Sequence, residues 1–92
     1  MAVYPVRVPR HSYRGRNETK RWHANEYNRA AERLEHFIND KVEDLSEGAC
    51  RSFMYATIAR ETGLDVELVH RVLGRIEAGH NGLTVWKRAE PT

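Results

Sequence analysis

Apolar positions along this chain follow two rhythms. Between residues 22 and 45, Trp22, Tyr27, Ala30, Ala31, Leu34, Phe37, Ile38, Val42 and Leu45 recur mainly at three-, four- and five-residue steps. That spacing places side chains on one face of an α-helix, and Asn17 or Thr19 is a suitable cap for its start. Glu26, Glu32, Glu35 and Glu43 fall mostly on the opposite side, as a solvated face requires. Beyond Ser46 and Gly48, the residues Phe53, Met54 and Ile58, with Cys50, predict a second helix from about Ala49 to Thr62, ended by Gly63. Asp65 caps a third, predicted from Val66 to about Ala78, whose Val66, Val69, Val72, Leu73 and Ile76 form one stripe. Gly79 follows where a left-handed C-terminal cap is expected.

The second rhythm is alternation. In "VYPVRV" the side chains of Tyr4, Val6 and Val8 alternate with Val3, Pro5 and Arg7, which suits a short edge strand that tolerates proline. At the other end His80, Asn81 and Gly82 spell a turn whose Asn-Gly pair accepts positive φ. The run "LTVWK", Leu83 to Lys87, then reads as a strand. Two partners are open to it: the few residues after the third helix, or the amino-terminal segment. The aromatics Trp22, Tyr27, Phe37, Phe53, Tyr55 and Trp86 read as core or core-edge residues, with Trp86 packing the strand onto the helices. The expected fold is mainly α: a three-helix domain over residues 18–88 with a small C-terminal strand or wing, a basic arm over residues 1–17 and a tail at 89–92.

Bulk properties narrow the function more than the fold. Ninety-two residues suit one domain with a modest core. No apolar run approaches the roughly 20 residues that span a bilayer, and "MAVYPVRVPRH" lacks a signal-peptide stretch, so a cytoplasmic protein is expected. The single cysteine, Cys50, has no intramolecular disulfide partner and reads as a small buried side chain. His11, His23, His36, His70 and His80 show none of the short paired spacings of zinc sites. No signature pairs a nucleophile with a base, so neither metal, cofactor nor catalytic residue is expected.

The formal net charge is only +2, but it is sorted along the chain. Arg7, Arg10, Arg14, Arg16, Lys20 and Arg21 face a single acid, Glu18, between residues 7 and 21. From residue 22 to 50 the balance reverses, with Arg29, Arg33 and Lys41 against Glu26, Glu32, Glu35, Asp40, Glu43, Asp44 and Glu47. Such sorting speaks to partners. A basic arm interleaved with Tyr13 and followed by Trp22 suits phosphates or a minor groove, although basic termini are often simply solvated.

In "TIARETGLDVELVHRVLGRI", Ala59 is a small residue at a helix crossing, Gly63 a turn residue free to take positive φ, and Ile58, Leu64, Val69 and Val72 lock two helices together. With Ala59, Gly63 and Val69 at this spacing, the stretch resembles the helix-turn-helix superfamily of DNA-binding proteins. With "HNGLTVWK" as strand and wing, residues 50–88 look like a small winged helix. The resemblance implies a recognition helix whose exposed face carries Asp65, Glu67, His70, Arg71, Gly74 and Arg75. Arg71 would read guanine, His70 a base edge or phosphate, Glu67 a cytosine amino group, and Arg75 a phosphate. Arg10, Arg14, Arg16, Lys20 and Arg21 of the arm, with His80 and Asn81 of the turn, would lie beside it. Asp65 and Glu67 depart from a basic recognition face, since carboxylates oppose a polyanion. As helix-start residues they also favour the macrodipole. The implied function is a DNA-binding regulator of bacterial, phage or plasmid type, acting on double-stranded DNA as a homodimer through the long first helix. The rival is a winged-helix-like protein-interaction module, an adaptor or inhibitor that does not bind DNA.

Overall fold

The computed structural model describes residues 2–76 and 81–89. In chain order the elements are β1 (Ala2–Val3), α1 (Glu18–Val42), β2 (Cys50–Met54), α2 (Tyr55–Thr62), α3 (Val66–Leu73) and β3 (Gly82–Trp86). The class is therefore mixed α/β, not mainly α: three helices pack with a three-stranded sheet of order β1-β3-β2.

Helix α1 starts where its cap dictates. The Asn17 side chain accepts the Lys20 N–H at 3.1 Å, satisfying one of the amides that a helix start leaves without a partner. Its inward stripe of Ala24, Ala30, Ala31, Leu34, Ile38 and Val42 is buried, as the periodicity predicts. Trp22 does not join it.

Residues 4–16 form a strap laid antiparallel along α1. Val6 N–H donates to Asn39 Oδ1 at 2.7 Å, and Asn39 Nδ2 donates to the Val6 carbonyl at 2.9 Å. Val8 N–H donates to Glu35 Oε1 at 2.8 Å. Asn28 repeats the double grip on His11, accepting from its N–H at 2.7 Å and donating to its carbonyl at 2.9 Å. The spacings agree. Asn28 and Asn39 are separated by about 16 Å of helical rise, and extended chain at about 3.3 Å per residue covers the same distance from Val6 to His11. Alternation in the strap then turns Val6 and Val8 into the core and Arg7 to solvent. Glu35, expected on the solvated face, holds the strap instead.

Only Ala2 and Val3 of the amino-terminal segment form a strand. They pair parallel with β3, Ala2 with Val85 and Val3 with Trp86, and the Tyr4 N–H continues to the Trp86 carbonyl. On its other side β3 pairs antiparallel with β2, from Cys50 opposite Trp86 to Met54 opposite Gly82. Thus β2 takes the place where the sequence predicts the start of the second helix. Helical spacing would turn Met54 and Cys50 inward, yet both are exposed, and in the strand only Phe53 is buried. A ladder with β3, which includes a 2.9 Å contact between the Ser52 and Thr84 hydroxyls, satisfies this backbone and keeps Phe53 buried.

Strand β3 is the middle strand, flanked on both sides, so the predicted wing is not seen among the described residues. Leu83 and Val85 face the helices, whereas Trp86 lies on the other face with Val3 and Cys50 and does not pack the strand onto them. Neither Asn81 nor Gly82 has positive φ. Gly82 is required for closeness: a Cβ there would sit 2.3 Å from the Phe53 carbonyl oxygen.

Helices α2 and α3 meet as the sequence predicts. Gly63 closes α2 in the left-handed region at φ 74°, and Asp65 caps α3 by accepting the Glu67 N–H at 2.8 Å. Ile58, Ala59, Val69, Val72 and Leu73 are buried, and Leu64 packs against them. Helix α3 is shorter than expected, ending at Leu73, where Gly74 caps it and Ile76 N–H bonds to the Leu73 carbonyl at 3.1 Å in a tighter turn. The expected helix end at Ala78 and its cap at Gly79 lie outside the described residues.

Candidate functional site

The outward side of α3 is accessible. Glu67, His70, Arg71 and Gly74 are all exposed, and at about 100° per residue they occupy one arc of the helix. Asp65 sits at its start, with one carboxylate oxygen committed to the cap. The flank toward α1 carries Leu68 and Arg75.

His70 and Arg71 of α3 and Arg75 just beyond it diverge. His70 turns to Tyr55, the rings meeting edge-on with centroids 4.5 Å apart. Arg75 reaches across to α1, where Nη1 donates to the Tyr27 hydroxyl at 3.2 Å and the guanidinium lies 5.9 Å from that ring. Arg71 turns into a groove between α1 and α3. This groove of about 780 Å³ is walled by Asp65, Glu67, Leu68 and Arg71 on one side and by Lys20, Trp22, His23, Ala24, Glu26 and Tyr27 of α1 on another, with His11 and Tyr13 of the strap closing it.

The basic arm is ordered by its contacts and not a loose tail. Arg10 is drawn back onto the protein, with Nη1 donating to the Val8 carbonyl at 2.9 Å and Nη2 lying 3.5 Å from Glu35. Arg21 Nη2 donates to the Gly15 carbonyl at 3.2 Å, fixing the corner where the strap enters α1. Tyr13 lies under that corner, its hydroxyl accepting the Asn17 N–H at 3.3 Å. Arg14, Arg16 and Lys20 are exposed at the same end of the molecule. The sequence-predicted residues therefore separate: Arg71, Glu67 and Lys20 share the groove, Arg14 and Arg16 lie in the segment leading into α1, and Arg21 lies in its first turn. Arg10 and Arg75 are engaged by Glu35 and Tyr27. Asn81 stands at the start of β3, its carbonyl accepting the Tyr55 N–H at 2.8 Å. His80 lies outside the described residues.

Beyond Met54, Glu35 and Trp86, three more residues differ from their sequence reading: Trp22, Cys50 and Val66, the last placed in the α3 stripe but 40% exposed. Trp22, expected in the core, leaves 59% of its surface in solvent beside this groove. Its place ahead of the regular stripe, five residues before Tyr27 and amid Lys20, Arg21 and His23, is the signal that could have shown this. Cys50, expected buried, is exposed on β2. Among the described residues no group of three or more His, Cys, Asp or Glu side chains is arranged to hold a metal ion, and no helix is long and apolar enough to cross a membrane.

No protein-family model matches the chain, and no curated protein or solved structure matches it either.

Proposed function

We propose that this is a small DNA-binding protein of helix-turn-helix type, a cytoplasmic regulator of the bacterial, phage or plasmid kind that presents α3 to a major groove of double-stranded DNA. The observation that carries this reading is the shared groove. Arg71 of α3 and Lys20 in the first turn of α1 line one cavity, so a duplex against α3 also meets the cations at the start of α1. Counterion release from phosphates held by that arm supplies sequence-independent affinity. Arg71, with its fork of donors, reads a guanine edge. Glu67 is compatible with this arrangement as an acceptor for a cytosine amino group. The remaining α1 surface, with Arg29, Glu32, Arg33 and His36 exposed, is polar. A two-fold pair of chains would double the base pairs read.

The same wall carries Glu26, Asp65 and Glu67, which favours a second reading, a protein-interaction module. Mobility-shift titration with mixed duplex DNA at rising salt separates the two. The DNA reading expects binding whose log affinity falls linearly with log salt, by about 0.9 for each phosphate contacted. Absence of any shift even at about 50 mM salt, where phosphate contacts are strongest, assigns the groove to a protein partner.

A further inference from the structure

Trp22 departs from the rest of α1. Leu34, Ile38 and Val42 are fully buried and Tyr27 and Phe37 half-buried, yet the largest apolar side chain of the helix is left 59% exposed. It is not covered by the strap, although Tyr13 and His11 come to the same groove. Among the described residues, the ring contact of Trp22 is with His23, edge-on with centroids 5.0 Å apart, a geometry that does not occupy the face of the indole.

The surroundings define what can lie on that ring. Lys20 and Arg71 are cationic and Leu68 adds an apolar wall; of the three carboxylates, Glu26 is paired with Arg29 at 3.4 Å and Asp65 caps α3, which leaves Glu67 exposed. An apolar peptide side chain would use the indole and Leu68 but leave the charges without partners. A nucleotide offers a matching group to the indole, Lys20 and Glu67: a flat π-face, a phosphate and an exocyclic amino donor.

We infer that the groove between α1 and α3 receives an unpaired base of a DNA strand, stacked on Trp22, with its phosphate held by Lys20. The inference rests on the nucleic-acid reading and deepens it, because a fully paired duplex has no base to offer. The protein then prefers duplexes carrying a bulged or unpaired base over the same duplex fully paired. Stacking accepts every base, while the Glu67 acceptor favours adenine, cytosine or guanine, which carry an exocyclic amino group, over thymine at the unpaired position.

The chain has two tryptophans, and Trp86→Phe leaves Trp22 as the single indole reporter. That variant is titrated with a fully paired duplex and with the same duplex carrying a short bulge, alongside mobility shifts of the parent chain and of Trp22→Ala. The expected result is quenching of Trp22 emission by the bulged duplex alone. Binding to it should be about ten-fold tighter, a margin lost in Trp22→Ala and largely kept in Trp22→Phe. Mobility shifts with both duplexes but unquenched Trp22, or Trp22→Ala weakening both alike, overturns the stacking site and leaves duplex binding standing. No shift with either duplex removes the nucleic-acid reading itself, and the stacking site with it. Circular dichroism melts of Trp22→Ala, expected to match the parent, exclude misfolding as the cause of a loss.

Discussion

Val6 and Asn39 grip each other through both backbone groups of one and both amide atoms of the other, at 2.7 and 2.9 Å. A side chain on a helix thereby does what a neighbouring strand would do. It allows extended chain with no sheet partner to be held against α1 with its polar groups satisfied.

Asn39→Ala leaves the Val6 N–H and carbonyl without these partners while Val6 itself stays in an apolar site. The expected cost is about 1 to 3 kcal/mol of unfolding free energy in urea titration. Trypsin cleavage after Arg7 should accelerate by more than global destabilisation accounts for, because the strap is released first. An unchanged digestion rate would mean that the buried valines alone hold the strap.

Gly63 and Gly82 are needed for different reasons, and alanine separates them. At Gly63 the space for a Cβ is open and the obstacle is φ 74°, so Gly63→Ala costs about 1 to 2 kcal/mol and Gly63→Asn less. At Gly82 the conformation is ordinary and the obstacle is the Phe53 carbonyl 2.3 Å from the new Cβ, so Gly82→Ala must part β2 from β3. Hydrogen exchange should then rise in β2 for Gly82→Ala but not for Gly63→Ala.

Ile38→Ala and Trp22→Ala test the two ends of α1 against each other. Ile38 is fully buried, and its truncation is expected to cost about 2 to 5 kcal/mol. Truncating Trp22, the larger side chain, should change stability by roughly 0.5 kcal/mol or less, as for an ordinary surface position. Comparable losses in denaturant titration would place Trp22 in the core after all.

Arg71→Ala is expected to lower affinity for a selected DNA site by about 1 to 3 kcal/mol with little effect on random duplex. Arg14→Ala and Arg16→Ala should weaken binding to every sequence alike, each reducing the salt slope by close to 0.9 where the arginine contacts a phosphate. Equal losses on selected and random DNA for Arg71→Ala would remove its reading role.

Asp65→Asn retains a capping side chain but removes a negative charge from the groove. Stability should be nearly unchanged, whereas Asp65→Ala loses about 1 kcal/mol. If DNA approaches α3, Asp65→Asn tightens binding to all duplexes at low salt; a protein partner that is itself basic would instead bind the variant more weakly.

Local signals were legible wherever a single residue settles the backbone. Asn17, Gly63 and Asp65 each act through atoms within three or four residues of themselves, and the bounds they imply are those observed. The burial of Leu34, Ile38, Val69 and Val72 was equally readable, since a helical stripe has only one face to hide. The segment from Cys50 to Met54 was not readable, because Phe53 is buried under either a helical or an extended reading. What decides between them is β3, about thirty residues away. In the candidate site, the accessibility of Glu67, His70 and Arg71 followed from the same stripe. Their dispersal toward Tyr55, the groove and the Tyr27 side did not, because those partners lie on other elements.

The sequence by itself determined the inward stripes of the first and third helices, the caps at Asn17 and Asp65 and the turn at Gly63, all consequences of contacts within a few residues. Tertiary structure alone decided that β3 runs between β1 and β2, that Asn28 and Asn39 clamp a strap, and that Trp22 stays outside. The physical reason is that hydrogen-bond partners and covering surface at these places come from chain far away in sequence. Short-range periodicity carries no information about which distant backbone will arrive.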